Sequence, residues 1–279
     1  MNTHESEMRE AFVQRAEQIL SEEERFVKPE GMQRMGFESE LAFDVESAPL
    51  DAIEPVRNMV IDEVGTSADT ELGVAQIEIR TPPIDILKCG GMHELGRVYQ
   101  QELEATVIAA RRHGAHILRV GAHPFLPVLG TPRTHKPKYR QVPDFYNAHR
   151  RCDVETRIGL GNVQIDIGDA AVVSLFQSFQ VNIEARSFYD AILKMDRSLM
   201  IAPYLLTLGG NARYLNCTDS HYTDLRMVAW EKSHDTRAND MRLLSWERTC
   251  RCPWCEKTES MRCSMEYTAI CGFCPIRAH

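Results

Sequence analysis

The sequence has no long apolar run; its purely hydrophobic stretches are only a handful of residues each, which excludes a membrane-spanning helix. It also has no lysine-rich or arginine-rich block, and 32 basic against 40 acidic residues leave a formal charge of −8. Phosphate contacts need clustered cations, so no nucleic-acid partner is expected. The start, MNTHESEMRE, is acidic and has the character of neither a signal nor a transit peptide, which points to a cytoplasmic protein. No G-x-G-x-x-G follows a strand, and Gly209-Gly210-Asn211 lacks the spacing and the lysine of a phosphate loop. A bound nucleotide would therefore need a different fold. There is no internal repeat, and no low-complexity linker before Thr249. What remains is a chain of 279 residues, 43% hydrophobic and 26% charged, long enough to bury a sizeable core.

Cysteine is abundant at one end only. Six of the nine lie in the last thirty residues, at Cys250, Cys252, Cys255, Cys263, Cys271 and Cys274. The pairs Cys252-x2-Cys255 and Cys271-x2-Cys274 are separated by fifteen residues, the spacing of a four-cysteine Zn2+ site. The surplus Cys250 and Cys263, with the abrupt change in composition, also fit a reading-frame shift, which is the preferred reading. Cys89, Cys152 and Cys217 have no neighbouring histidine, and the default for such thiols is a buried structural role. Disulfides are not expected in a reducing compartment.

Hydrophobic periodicity gives the elements. Apolar residues at Met8, Phe12, Ala16, Ile19 and Leu20 predict an amphipathic helix over 5–26. Alternation predicts strands over 35–45, 75–80, 115–120, 163–167 and 179–184. Helical patterns cover 50–64, 84–113 with a break near Gly90-Gly91, 139–152, 187–208 capped by Ser187, and 223–232. Strands with one apolar and one polar face predict a mainly antiparallel sheet with helices packed on one side, an α+β fold.

The polar faces are unusual in kind. Glu38, Glu40, Glu78, Asp166, Gln180, Asn182 and Glu184 are all oxygen donors, and Arg80 is the only cation among them. Carboxylates on neighbouring strands repel one another unless a cation lies between them. Either these residues are far apart on a solvated face, or they hold a metal, for which Mg2+ or Mn2+ suits oxygen ligands better than zinc does. His123, before Pro124-Phe125, sits where a strand enters a loop and fits either a functional or a structural role.

Taken in order, Gly36-Phe37-Glu38-Ser39-Glu40, Glu71 and Glu78 within ELGVAQIEIRTP at 71–82, GAHPF at 121–125 and Ser178 to Asn182 form a recognisable series. They continue through Asn211, Arg226, Trp230 and Arg237. Over about Met35 to Arg237 this series resembles the glutamate–cysteine ligase and carboxylate–amine ligase group, most nearly its plant and proteobacterial type. The resemblance implies a glutamine synthetase-like fold, with residues 1–249 as a ligase catalytic domain and 250–279 as a cysteine-rich tail. It implies ATP and Mg2+ as cofactors, with Glu38, Glu40, Glu71, Glu78 and Gln180 as metal ligands. Gln180, Asn182 and Asn211 would serve the nucleotide side. Arg226 and Arg237 would be catalytic, and Arg226, His123 and Tyr139 would lie near substrate. The implied reaction joins glutamate to cysteine or another amine through a γ-glutamyl phosphate, the first step of glutathione-type thiol synthesis.

Three features depart from that pattern. Ala212-Arg213-Tyr214 stands where relatives have Ser-Pro-Phe, Gln180 stands where one branch has histidine, and no later strand with a glutamate and an arginine is found. The alternative is a non-catalytic, ligase-like binding protein with a zinc-binding tail.

Overall fold

The structure is a computed structural model that describes residues 3–28, 30–44, 50–149 and 156–234. Its centre is the strand β1 (Arg34–Phe43), long enough to carry two partners on each edge. The strands β2 (Ala68–Thr70), β3 (Gln76–Arg80), β4 (Ile84–Asp85), β5 (Ile117–Leu118) and β8 (Phe179–Ile183) complete a six-stranded sheet. On one edge, β3 pairs with Glu38 to Ala42 and β4 with Arg34 and Met35. On the other, β8 pairs with Met35 to Ser39 and β5 with Ala42 and Phe43. Every one of these pairings is antiparallel, and β2 adds to the outer edge of β3 in the same sense. The mixed helix and sheet content is compatible with the expected α+β class.

Directly paired residues share a face, so Leu41 opposite Ile77 and Ser39 opposite Ile79 point one way, and Glu40 opposite Glu78 points the other. The apolar face is covered by α2 (Leu50–Val64) and α3 (Gly91–Arg112), which pack against each other and against β3. Phe43, Ile53, Ile77, Ile79 and Leu95 are buried to within 1% exposure there. Each such side chain contributes about 1.5–3 kcal/mol on burial. The helices α4 (Pro137–His149) and α6 (Arg226–His234) do not join that layer. They pack on a 3-10 segment, Ala170–Leu175, in front of β8, and they border a cleft. The helix α5 (Phe188–Leu208) follows β8, and no residue in it is buried.

Several boundaries move. The predicted stretch 84–113 is not one helix: Ile84–Asp85 is strand, and the helix starts at Gly91 after Gly90 turns with φ +79°. Left-handed backbone at Gly90 and the Pro82-Pro83 pair before it stop helix propagation further back. The strand predicted at 163–167 shortens to β7 (Ile165–Asp166), which pairs with β6 (Arg157–Ile158) in a separate ribbon. The helix predicted over 5–26 ends as α1 (Thr3–Ser21) and a 3-10 turn, Glu23–Phe26. Cys89 and Cys217 are exposed, which corrects the expectation of buried thiols; Cys152 lies outside the described residues. Cys252, Cys255, Cys271 and Cys274, and with them the Zn2+ reading of the tail, also lie outside the described residues, as does Arg237.

Candidate active site

Glu40 and Glu78 face each other across β1 and β3, and the loop between β2 and β3 brings Glu71 beside them. One carboxylate oxygen from each of the three lies within 4.8 Å of the others. Burial of the Glu40 carboxyl, and then the charge of Glu71, push its pKa up to about 7, although the Ser178 N–H donates to Oε2 at 2.9 Å. Glu78 is raised for the same reasons, burial first and then Glu38 and Glu71, with Arg80 at 3.4 Å working against them. Tyr139 is pushed up to about 12 by burial and by Glu71, and its hydroxyl donates to Thr70 O at 3.0 Å. This is a knot of negative charge in partly buried surroundings, which the Arg80–Glu78 ion pair offsets only in part. A divalent cation with oxygen ligands relieves that kind of strain, and three carboxylates are the donor set that Mg2+ or Mn2+ takes.

Of the remaining expected ligands, Glu38 lies beside the trio and Gln180 is hydrogen-bonded to it. Glu38 is one pair further along β1, opposite Arg80 on one side and Gln180 on the other. Gln180 donates through Nε2 to Glu40 Oε1 at 3.3 Å and to Ser178 Oγ at 3.0 Å, so it braces Glu40. Asn182 lies one pair beyond Gln180 on the same face of β8. Asp166 is not on the sheet at all. Its Oδ1 accepts from Gly168 N and Thr156 Oγ1 in the β6–β7 ribbon. Glu184 is held by Arg34, whose Nε donates to it at 3.0 Å, and hydrogen bonding to Arg34 lowers its pKa. The polar faces thus form one carboxylate site and two ordinary surface arrangements.

Glu40 and Glu71 line a cleft of about 1330 Å³. Tyr139 and Tyr146 from α4, Leu205 from α5, and Arg226 and Trp230 from α6 form its walls, with Asn211 between the last two helices. Arg226 opens α6, where Asp224 accepts from its backbone N–H at 3.0 Å and from its guanidinium, while Nη1 donates to Gln177 O at 2.6 Å. The side chain is therefore fixed by an ion pair at the helix start and still borders the cleft. Gly121 makes this approach possible: a Cβ there would meet Asn211 Oδ1 at 2.1 Å and Arg226 Cζ at 3.0 Å. Gln177 also lines the cleft, and its buried side-chain amide has no hydrogen-bond partner among the described residues.

His123 is not at the cleft. It is 1% exposed, Nε2 lies 3.1 Å from Phe43 O, and Nδ1 accepts from Phe125 N and Leu126 N at 3.3 and 3.2 Å. Both ring nitrogens are occupied and burial lowers its pKa, so the ring is a neutral brace for the 123–126 turn, set back from the cleft lining where a substrate role was expected. Sequence reasoning missed Asp224, Gln177 and Ser178. Asp224 carried a weak signal, an aspartate near a helix start whose side chain can accept from the backbone two residues on. The other two carried none, because their roles depend on which strand lies beside them.

The site is thus a carboxylate-lined cleft on an antiparallel sheet with a fixed arginine in its wall, an arrangement with the donors to hold a divalent cation and an anionic group. Residues 22–257 match the glutamate-cysteine ligase family 2, and the chain belongs to that family. A relative with the provisional name glutamate–cysteine ligase 2-3, from Rubrobacter xylanophilus, is 36% identical over 80 residues. That match spans 29% of this chain and 20% of the relative, so it covers about a fifth of the relative's length.

Proposed function

We propose that the protein is an ATP-dependent, Mg2+-assisted ligase that joins the γ-carboxylate of glutamate to an amine, with cysteine as the first candidate acceptor. The observation that carries this reading is the Glu40–Glu71–Glu78 trio, two of whose carboxylates, Glu40 and Glu71, line a cleft bordered by Arg226. Family membership supports a ligase of the glutamate–cysteine ligase type. The antiparallel sheet with a carboxylate floor suits the trough of a glutamine synthetase-like fold.

In the proposed reaction, the γ-carboxylate oxygen of glutamate takes the terminal phosphoryl group of ATP and ADP leaves. The amine nitrogen then attacks the activated carbonyl carbon, phosphate departs, and the nitrogen loses a proton. Bound between Glu40, Glu71 and Glu78, Mg2+ would neutralise the charge of the phosphates during transfer. Arg226 is suited to hold an anionic group of substrate, since its fork matches carboxylate and phosphate and Asp224 fixes its orientation. Gln180 keeps Glu40 in place through its amide. Asn211 lies against Arg226 and Gly121, where it can contact the nucleotide or glutamate.

The test is ADP release by folded protein supplied with Mg2+, ATP, glutamate and cysteine. Turnover should require both amino acids, and Glu78→Gln should abolish it while leaving cooperative unfolding in place. Metal-replete, folded protein that releases no ADP under these conditions overturns the reading.

A further inference from the structure

The backbones of two of the three carboxylates are fixed by the sheet ladder, where Glu40 and Glu78 sit at paired positions. Glu71 lies outside any strand, between β2 and β3, and something else must hold it. Behind this loop is Arg57 of α2, a charged side chain only 1% exposed. Its Nη1 donates to Thr134 Oγ1 at 2.7 Å and to the carbonyls of Val74 and Gly73 at 3.2 and 3.4 Å. Thr134 passes the contact on: Oγ1 donates to Glu71 O at 2.6 Å, and the Thr134 N–H donates to Leu72 O at 2.9 Å. The Leu72 N–H in turn donates to the Glu71 carboxylate at 3.0 Å, so the backbone that Thr134 fixes also aims the side chain. Glu54 neutralises the far end of Arg57 at 3.2 Å.

We propose that Arg57 and Thr134 are positioning residues for the carboxylate site: they fix the Glu71 loop from the buried side and so set the affinity of the site for a divalent ion. This rests on the reading of Glu40, Glu71 and Glu78 as a metal site. The chemistry explains the residue choice. Only an arginine presents enough donors in a rigid fork to hold two carbonyls, a hydroxyl and a carboxylate together, and a lysine in its place leaves some of them unpaired. Removing an outer hydrogen-bond partner of a metal ligand typically weakens metal binding about tenfold to a hundredfold.

The experiment is Mn2+ titration of the full chain, followed by the signal of free Mn2+ in electron paramagnetic resonance, with no substrate needed. Thr134→Val keeps the shape and removes the relay, and it should weaken Mn2+ binding at least tenfold. Thr134→Ser restores the hydroxyl and should bind like wild type. Val60→Ala, in the same buried layer of α2, controls for lost stability and should leave the affinity unchanged. If Thr134→Val and Arg57→Lys bind Mn2+ within twofold of wild type while Glu78→Gln does not bind, the metal site stands and the positioning role is overturned. If wild type binds no Mn2+, the metal-site reading itself falls and this proposal with it. Should Thr134→Val fail to fold, the Arg57→Lys affinity relative to Val60→Ala decides in the same way.

Discussion

The strands β3 and β8 look alike in sequence and differ entirely in place. Each has five residues, Gln76-Ile77-Glu78-Ile79-Arg80 and Phe179-Gln180-Val181-Asn182-Ile183, and each pairs antiparallel with β1 over five positions. In β3, Ile77 and Ile79 are at most 1% exposed; in β8, Phe179, Val181 and Ile183 are 51, 49 and 42% exposed. Alternation gives a strand two faces, but whether the apolar face is buried depends on a second layer. The helices α2 and α3 supply that layer over β3. Over β8 they reach only its first residue, where Phe179 meets Phe37 and Tyr99 with ring centroids 5.1 and 5.3 Å away. The helix that follows β8 repeats the contrast, since α5 is rich in leucine and methionine and buries none of them, whereas α3 buries Leu95 and Leu103. The carboxylate site sits where the two regimes meet, on the half of β1 that is anchored.

The largest expected effect breaks the anchored half. Phe43→Ala should remove about 3–5 kcal/mol of stability, the loss typical of a buried aromatic cut to alanine. The matched change on the other side, Val181→Ala, should stay within about 0.5 kcal/mol, as for exposed positions. Urea unfolding of both variants checks the pair, and equal losses would show that β8 is packed as tightly as β3.

A smaller effect comes from acid. Burial holds His123 neutral and lowers its pKa from the ordinary 6.5, so the unfolded chain takes up a proton there that the folded chain does not. Its contribution to stability is complete above pH 6.5 and is lost as pH falls below it, with a slope of at most about 1.4 kcal/mol per pH unit. Glu40, raised to about 7, acts with the opposite sign between its unfolded value and 7, so the raw profile of wild type mixes the two. The difference between wild type and His123→Gln isolates the histidine. Urea unfolding between pH 5 and 8 should give a difference that shrinks as pH falls. A difference independent of pH would mean that His123 takes up its proton alike in the folded and unfolded chains, and that burial does not hold it neutral.

The sequence made some of this legible and hid the rest for physical reasons. The strand at 35–45, the helix at 50–64 and the Ser187 cap are local features, written in periodicity and in one side chain, and the structure has them as β1, α2 and α5. Glu40 and Glu78 of the oxygen-rich polar pattern come together, and Glu71, which only the family resemblance brought in, joins them from a loop. Asp166 shared that pattern and lies elsewhere, because periodicity reports a face and not which sheet the face belongs to. His123 marked a strand-to-loop junction, yet its partners are main-chain groups of Phe43, Phe125 and Leu126, which no residue type announces. Arg57 was invisible for the same reason. It sits in an amphipathic helix like any surface arginine, and only the loop that folds over it makes it buried.

The smallest effect tests the other side of the comparison. Ser187 caps α5: its Oγ accepts from the Asp190 N–H at 3.2 Å, and the Asp190 carboxylate accepts from Lys194 at 2.6 Å on the same exposed turn. Losing such a cap costs a helix about 1 kcal/mol. A helix that buries nothing can open without disturbing the core, so the cost should appear locally and not in global unfolding. Ser187→Ala should therefore speed amide exchange in the first turns of α5 by about fivefold, the factor that ~1 kcal/mol gives. The urea midpoint should not move. A midpoint shifted as far as the local protection would show α5 and the β1–β3 core unfolding as one unit, and the contrast between β3 and β8 would then be one of exposure alone.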